Sequence, residues 1–164
     1  MKKIVLLAVN VALVAMAGWL PVKPRDVADL LPVEVLVLSE RDGLLYLDGG
    51  NDLAGQGRTW AEAVEDLTET APGVAFFDTV AHIVLCGDTL TPLDQVLNDR
   101  ALRPAARIYL GQGNVEADSA APYLATHQGD KTLQDLQAAW LEERTVTLPP
   151  LTETDGRYRL SNDG

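Results

Sequence analysis

The apolar positions of this chain fall into short runs whose spacing changes from that of a strand to that of a helix and back. Val33 to Leu38 is β-branched and apolar and predicts a strand; Arg41-Asp42-Gly43 predicts a turn, and Leu44 to Leu47 the returning strand of a hairpin. Asp48 to Gly57 holds four glycines and two aspartates and reads as a loop. Trp60, Ala63, Val64 and Leu67 then recur at helical spacing, with Glu62, Glu65, Asp66 and Glu69 largely on the other side. Thr59 followed three residues later by Glu62 has the form of a capping box, in which each side chain satisfies the other's backbone N–H. Pro72-Gly73 ends that helix.

Val74 to Phe77 and Val80 to Cys86 together read as one long central strand, closed by Gly87-Asp88. Thr91 and Pro92 are the start signals of a second helix, with Leu93, Val96 and Leu97 on its buried face. Arg107 to Leu110 predicts a strand and Gly111-Gln112-Gly113 a turn. Asp118 to Ala125 is a weak helix, since Pro122 is tolerated only in a first turn. Thr132 to Leu141 is a clear one, with Leu133, Leu136 and Trp140 on one side. Val146 to Leu151 reads as an extended linker, and the residues after it as a polar tail that orders only if it pairs with something. The sum is an α/β or α+β layer domain: a mixed sheet of about four strands with three or four packed helices.

The first twenty residues pattern differently. Lys2 and Lys3 precede an apolar run from Ile4 to Leu20, broken only by Asn10 and stopped by Pro21. That is a secretory signal or a short signal anchor, with Ala15-Met16-Ala17 before Gly18 fitting the small-x-small cleavage rule. Arg25 to Leu31 would be a short helical link from the membrane to the domain. Residues 1–20 are thus an export segment, 21–150 the domain and 151–164 a tail.

Charge changes the picture in one respect. Twenty-four acids against 13 bases give a net charge of −11, which argues against a nucleic-acid partner. The single cysteine, Cys86, excludes an intrachain disulfide and, inside an apolar run, reads as a small buried hydrophobe.

Candidate chemistry is sparse. Gly55-Gln56-Gly57-Arg58-Thr59 at a helix N-terminus is suited to an anion, but lacks the third glycine of a dinucleotide fingerprint and the Lys-Ser/Thr of a P-loop. His82 and His127 are far apart in sequence and show no metal-ligand spacing. Asp78 and His82, four apart on one face of a strand, read as a polar pair rather than a catalytic dyad. Glu62, Glu65, Asp66 and Glu69 do not follow a calcium-loop pattern. No catalytic residue, cofactor site or metal site is assigned.

The order of these elements, with Gly55, Gly57, Thr59, Ala63, Leu67, Pro72, Phe76, Phe77, Gly87, Leu97 and the Arg103-Pro104 approach to Arg107, resembles the N-terminal domain of the spore germination receptor C subunits, the Ger(x)C family. Thr132-Leu133-Gln134-Asp135-Leu136 and Leu148-Pro149-Pro150-Leu151 are similar to its later segments, so the likeness covers most of residues 19–150. The resemblance implies a non-catalytic subunit outside the spore inner membrane, acting in germination by contact with two membrane subunits. It also implies a lipid-bearing cysteine, yet Ala17-Gly18-Trp19-Leu20 has none, so a retained signal helix would hold the protein to the membrane. Family members are longer, and Arg157-Tyr158-Arg159-Leu160 looks like the start of their second domain. The acidic helix face Glu62, Glu65, Asp66 and Glu69 is the expected partner surface. The competing reading is an unrelated exported domain that binds a small ligand; an exported hydrolase is weaker, because no nucleophile, base and orienting acid can be assembled.

Overall fold

A computed structural model describes residues 30–87 and 93–161. The elements run β1 (Leu30–Pro32), β2 (Val35–Arg41), β3 (Leu44–Gly50), β4 (Leu53–Gly57), α1 (Trp60–Thr70), β5 (Val74–Phe76), one 3-10 turn (Phe77–Thr79), β6 (His82–Cys86), α2 (Leu93–Leu97), β7 (Arg107–Gln112), α3 (Ala117–Leu124), α4 (Leu133–Leu141), β8 (Pro150–Thr154) and β9 (Arg157–Leu160). The export segment and the Thr91-Pro92 start signals lie outside the described residues. Among those described, no helix is long and apolar enough to cross a membrane.

Seven strands make one mixed sheet in the order β4-β3-β2-β6-β7-β8-β9, and β1 and β5 pair separately in parallel. β2, β6, β7 and β8 are parallel, while β3, β4 and β9 are antiparallel to their neighbours. Helices cover both faces. Leu36, Leu38, Ile83, Leu85 and Ile108 point to the larger core, shared with α1, α2 and α4. Val35, Val37, Val84 and Tyr109 point to the smaller one, under α3. The alternation follows from the two-residue period of a strand: with both faces buried, β2 and β6 carry apolar residues at successive positions.

The mixed α+β class is as the sequence implies, but the sheet is wider than four strands. The added strands come from segments whose composition suggested loop, link or tail. Leu53–Gly57, inside the expected loop, is edge strand β4, entered through Asn51 and Asp52 at φ 51° and 61°. Leu30 and Leu31, expected at the end of a helical link, belong to β1, which pairs with β5 outside the large sheet. Pro150–Thr154 and Arg157–Leu160, expected as linker and tail, form a hairpin turned by Asp155-Gly156 at φ 51° and 73°, the same chemistry as Asp42-Gly43 at 54° and 73°.

Three further expectations need correction. The apolar stretch 74–86 is not one strand: Thr79 Oγ1 accepts from Val33 N and lies within hydrogen-bond reach of Phe76 O, folding the chain between β5 and β6. Pro122 sits well inside α3, where hydrogen bonds continue on both sides of it, from Ala120 N to Glu116 O and from Ala125 N to Ala121 O. Trp140 is 51 % exposed instead of sharing the buried side of α4 with Leu133.

Candidate functional site

The Gly-x-Gly-x-Thr segment is built for contact between helix and strand. A Cβ on Gly55 would fall 2.6 Å from the backbone nitrogen of Leu67, and one on Gly57 2.5 Å from that of Ala63. Both glycines therefore let the backbone of α1 lie directly against β4; flexibility is not what they supply. Thr59 caps the helix, its Oγ1 accepting from Glu62 N at 3.2 Å. The expected reciprocal bond is displaced by one residue, because the Glu62 carboxylate accepts from Arg58 N at 2.8 Å. Trp60 N donates to Gln95 Oε1. With these N–H groups engaged internally and a carboxylate beside them, the segment does not offer an anion site.

The acidic face of α1 divides. Glu62 and Asp66 accept from Arg58 N and Gln56 N, both at 2.8 Å, so they are bound to the chain's own edge strand. Glu65 and Glu69 are exposed. The other positions singled out in the sequence are scattered. Phe76 ends β5, the half-buried Phe77 packs on the larger core, and Gly87 leaves β6 at φ 83°, a conformation open to glycine.

A different site emerges at the amino ends of β2 and β6. A cleft of about 410 Å³ is lined there by residues that include Glu34, Asp78, His82, Arg103, Ala121 and Ala125. Asp78 and His82 both line it, but Asp78 is exposed on the 3-10 turn and is not the partner of the histidine. His82 is 6 % exposed, with Nδ1 3.0 Å from the hydroxyl of Tyr109, which also accepts from Gly129 N at 3.3 Å. Burial, and then the charge of Arg107, hold the His82 pKa below its ordinary 6.5, with Glu34 opposing. Burial likewise raises that of Tyr109, so the phenol keeps its proton. Neither Tyr109 nor Gly129 stood out in the sequence: a tyrosine inside an apolar strand reads as core, and only register shows that it lies diagonally from His82, whose direct partner is Arg107.

Cys86 is half-buried against the smaller core, and burial pushes its thiol up to about 11. Among the described residues, no three or more His, Cys, Asp or Glu side chains are grouped to hold a metal ion. The chain matches no family model, no curated protein and no solved structure.

Proposed function

We propose that this chain is a non-catalytic extracytoplasmic domain of the germination-receptor C type, acting in spore germination by protein–protein contact with membrane subunits. The observation that supports the reading is how the positions carrying the resemblance are used. Gly55 and Gly57 seat α1, Thr59 starts it, Phe77 packs against the core and Gly87 turns the chain, so the pattern that carries the resemblance is one of folding. A domain of this kind works through the surface it presents. Here the exposed Glu65 and Glu69 are the part of the acidic helix face left for a partner with basic loops. The membrane-proximal export segment, Lys2-Lys3 and Ile4 to Leu20, would hold the domain beside such loops. Co-purification from detergent-solubilised spore membranes tests the reading. The neighbouring membrane subunits should be retained at low salt and lost at high salt; their absence at every salt concentration would refute it.

One observation favours the second reading, an exported small-ligand-binding domain: the His82 cleft combines a buried polar floor, charged rim residues and a volume within the lower part of the usual ligand range.

A further inference from the structure

His82 is the feature of the interior that folding alone does not account for. Tyr109 O accepts from Gly129 N–H, and among the described residues His82 Nδ1 is the one acceptor in reach of the phenol proton, which assigns that proton to the Tyr109–His82 bond. The ring is then neutral with its proton on Nε2. No buried side-chain nitrogen or oxygen among the described residues lacks a partner, so Nε2, which has no hydrogen-bond partner among them, opens onto the cleft that His82 lines. The floor thus presents one fixed N–H donor, oriented by a relay from Gly129 through Tyr109.

Around this donor stand charges of both signs. Glu34, Asp78 and Arg103 line the cleft. The ion pairs among the described residues are Lys131–Asp130 and Arg144–Glu142, so none of the three rim charges is in direct ion-pair contact with another. The wall on the α3 side is Ala121 and Ala125, whose small side chains keep the volume open.

We propose that this cleft binds a small monocarboxylate that also carries a cationic group, its carboxylate oxygen accepting from His82 Nε2–H with Arg103 as counter-charge, and its cation facing Glu34 and Asp78. Two rim carboxylates against one guanidinium disfavour a dicarboxylate by like-charge repulsion. This rests on the ligand-binding reading of the cleft and does not depend on contact with membrane subunits.

The test uses the full chain with nitrogen-15 in its histidines. There are two, so His127, outside the cleft lining, is an internal reference. Glycine, acetate, succinate and methylammonium are titrated to millimolar concentration. Glycine should shift the His82 ring signals saturably and leave those of His127 in place; acetate should bind more weakly, and succinate and methylammonium should not bind. Ala125→Leu fills the cleft from the exposed C-cap of α3 and should abolish the shift, while Arg103→Gln should weaken glycine about tenfold. A glycine shift that survives Ala125→Leu overturns the assignment to this cleft. Succinate or methylammonium shifting His82 without glycine overturns the ligand class while leaving a ligand cleft in place. No shift from any of the four overturns both.

Discussion

The two edges of the large sheet meet the same physical problem in opposite ways. An edge strand carries backbone groups with no neighbouring strand, and these invite pairing with another chain. At β4 they are covered. Ala54 O, Gln56 N and, just past the strand, Arg58 N are bound by Thr70 Oγ1, Asp66 and Glu62, three side chains spaced four apart on one stripe of α1. At β9 the cover among the described residues is one hydroxyl, Tyr123, which accepts from Leu160 N at 2.7 Å. There the defence is brevity and charge: the strand is four residues long, with Arg157 and Arg159 exposed. A sealed edge needs a helix backbone brought against a strand, and hence glycine; an open edge tolerates almost any sequence that is short and charged.

The contrast is broken most severely at Gly55. Gly55→Ala places a methyl against the backbone of α1, which cannot yield as a side chain tip would. Overpacking of this kind costs about 1–3 kcal/mol, and the upper end is expected here. Chemical denaturation should show the loss, with a lowered midpoint and an unchanged slope. An unchanged midpoint would mean that α1 does not lie on β4.

Between the edges, under the helices, the smaller-core face holds a buried hydrogen-bonded pair, His82 and Tyr109. Tyr109→Phe leaves Gly129 N–H and His82 Nδ1 without their shared partner and should cost about 1–3 kcal/mol. His82 also sets a pH window. Its folded pKa is lowered below 6.5, so between those two values the unfolded chain binds a proton that the folded chain does not. Stability is therefore full above pH 6.5 and falls as pH is lowered from there toward the folded pKa. His82→Gln should flatten this window in denaturation curves recorded across it; a window of equal depth in the variant would assign it to other groups.

These regions also show how far the sequence could be read. Strands β2, β6 and β7 were legible because burial on both faces writes apolar runs, β3 because the Asp42-Gly43 turn returns the chain into Leu44 to Leu47, and α1 and α4 because Thr59 and Thr132 announce their starts. β4 was not, since glycines that permit close helix packing have the same composition as glycines in a loop. The β8–β9 hairpin carried a usable signal, Asp155-Gly156, that matched the recognised Asp42-Gly43, but the polar residues around it masked the strands. The cleft was half legible. His82 was visible, but its pairing with Tyr109 depends on the register of β6 against β7, a long-range fact that no local pattern contains.

Smaller effects separate the two edges directly. Asp66→Ala removes a carboxylate from Gln56 N–H on the sealed side and should cost about 1–2 kcal/mol. Tyr123→Phe removes the one hydroxyl on the open side and keeps the ring stacked on His127, so about 0.5–1 kcal/mol is expected. Its second consequence is association: with Leu160 N–H uncovered, light scattering should rise with concentration more in Tyr123→Phe than in Asp66→Ala. The reverse order would show that β4, not β9, is the vulnerable edge.

The smallest effect on stability is expected where the acidic helix face serves nothing in the fold. Glu65 and Glu69 are exposed and stand outside the stripe of Glu62, Asp66 and Thr70. Reversing both to Lys should change stability by no more than about 0.5 kcal/mol, the usual range for surface positions. The same pair carries the proposed partner contact, so co-purification with membrane subunits should weaken sharply and lose its salt dependence. Retained association with unchanged salt dependence would move the contact off α1. A large loss of stability would show that the helix face is not divided, and that all four carboxylates hold the edge.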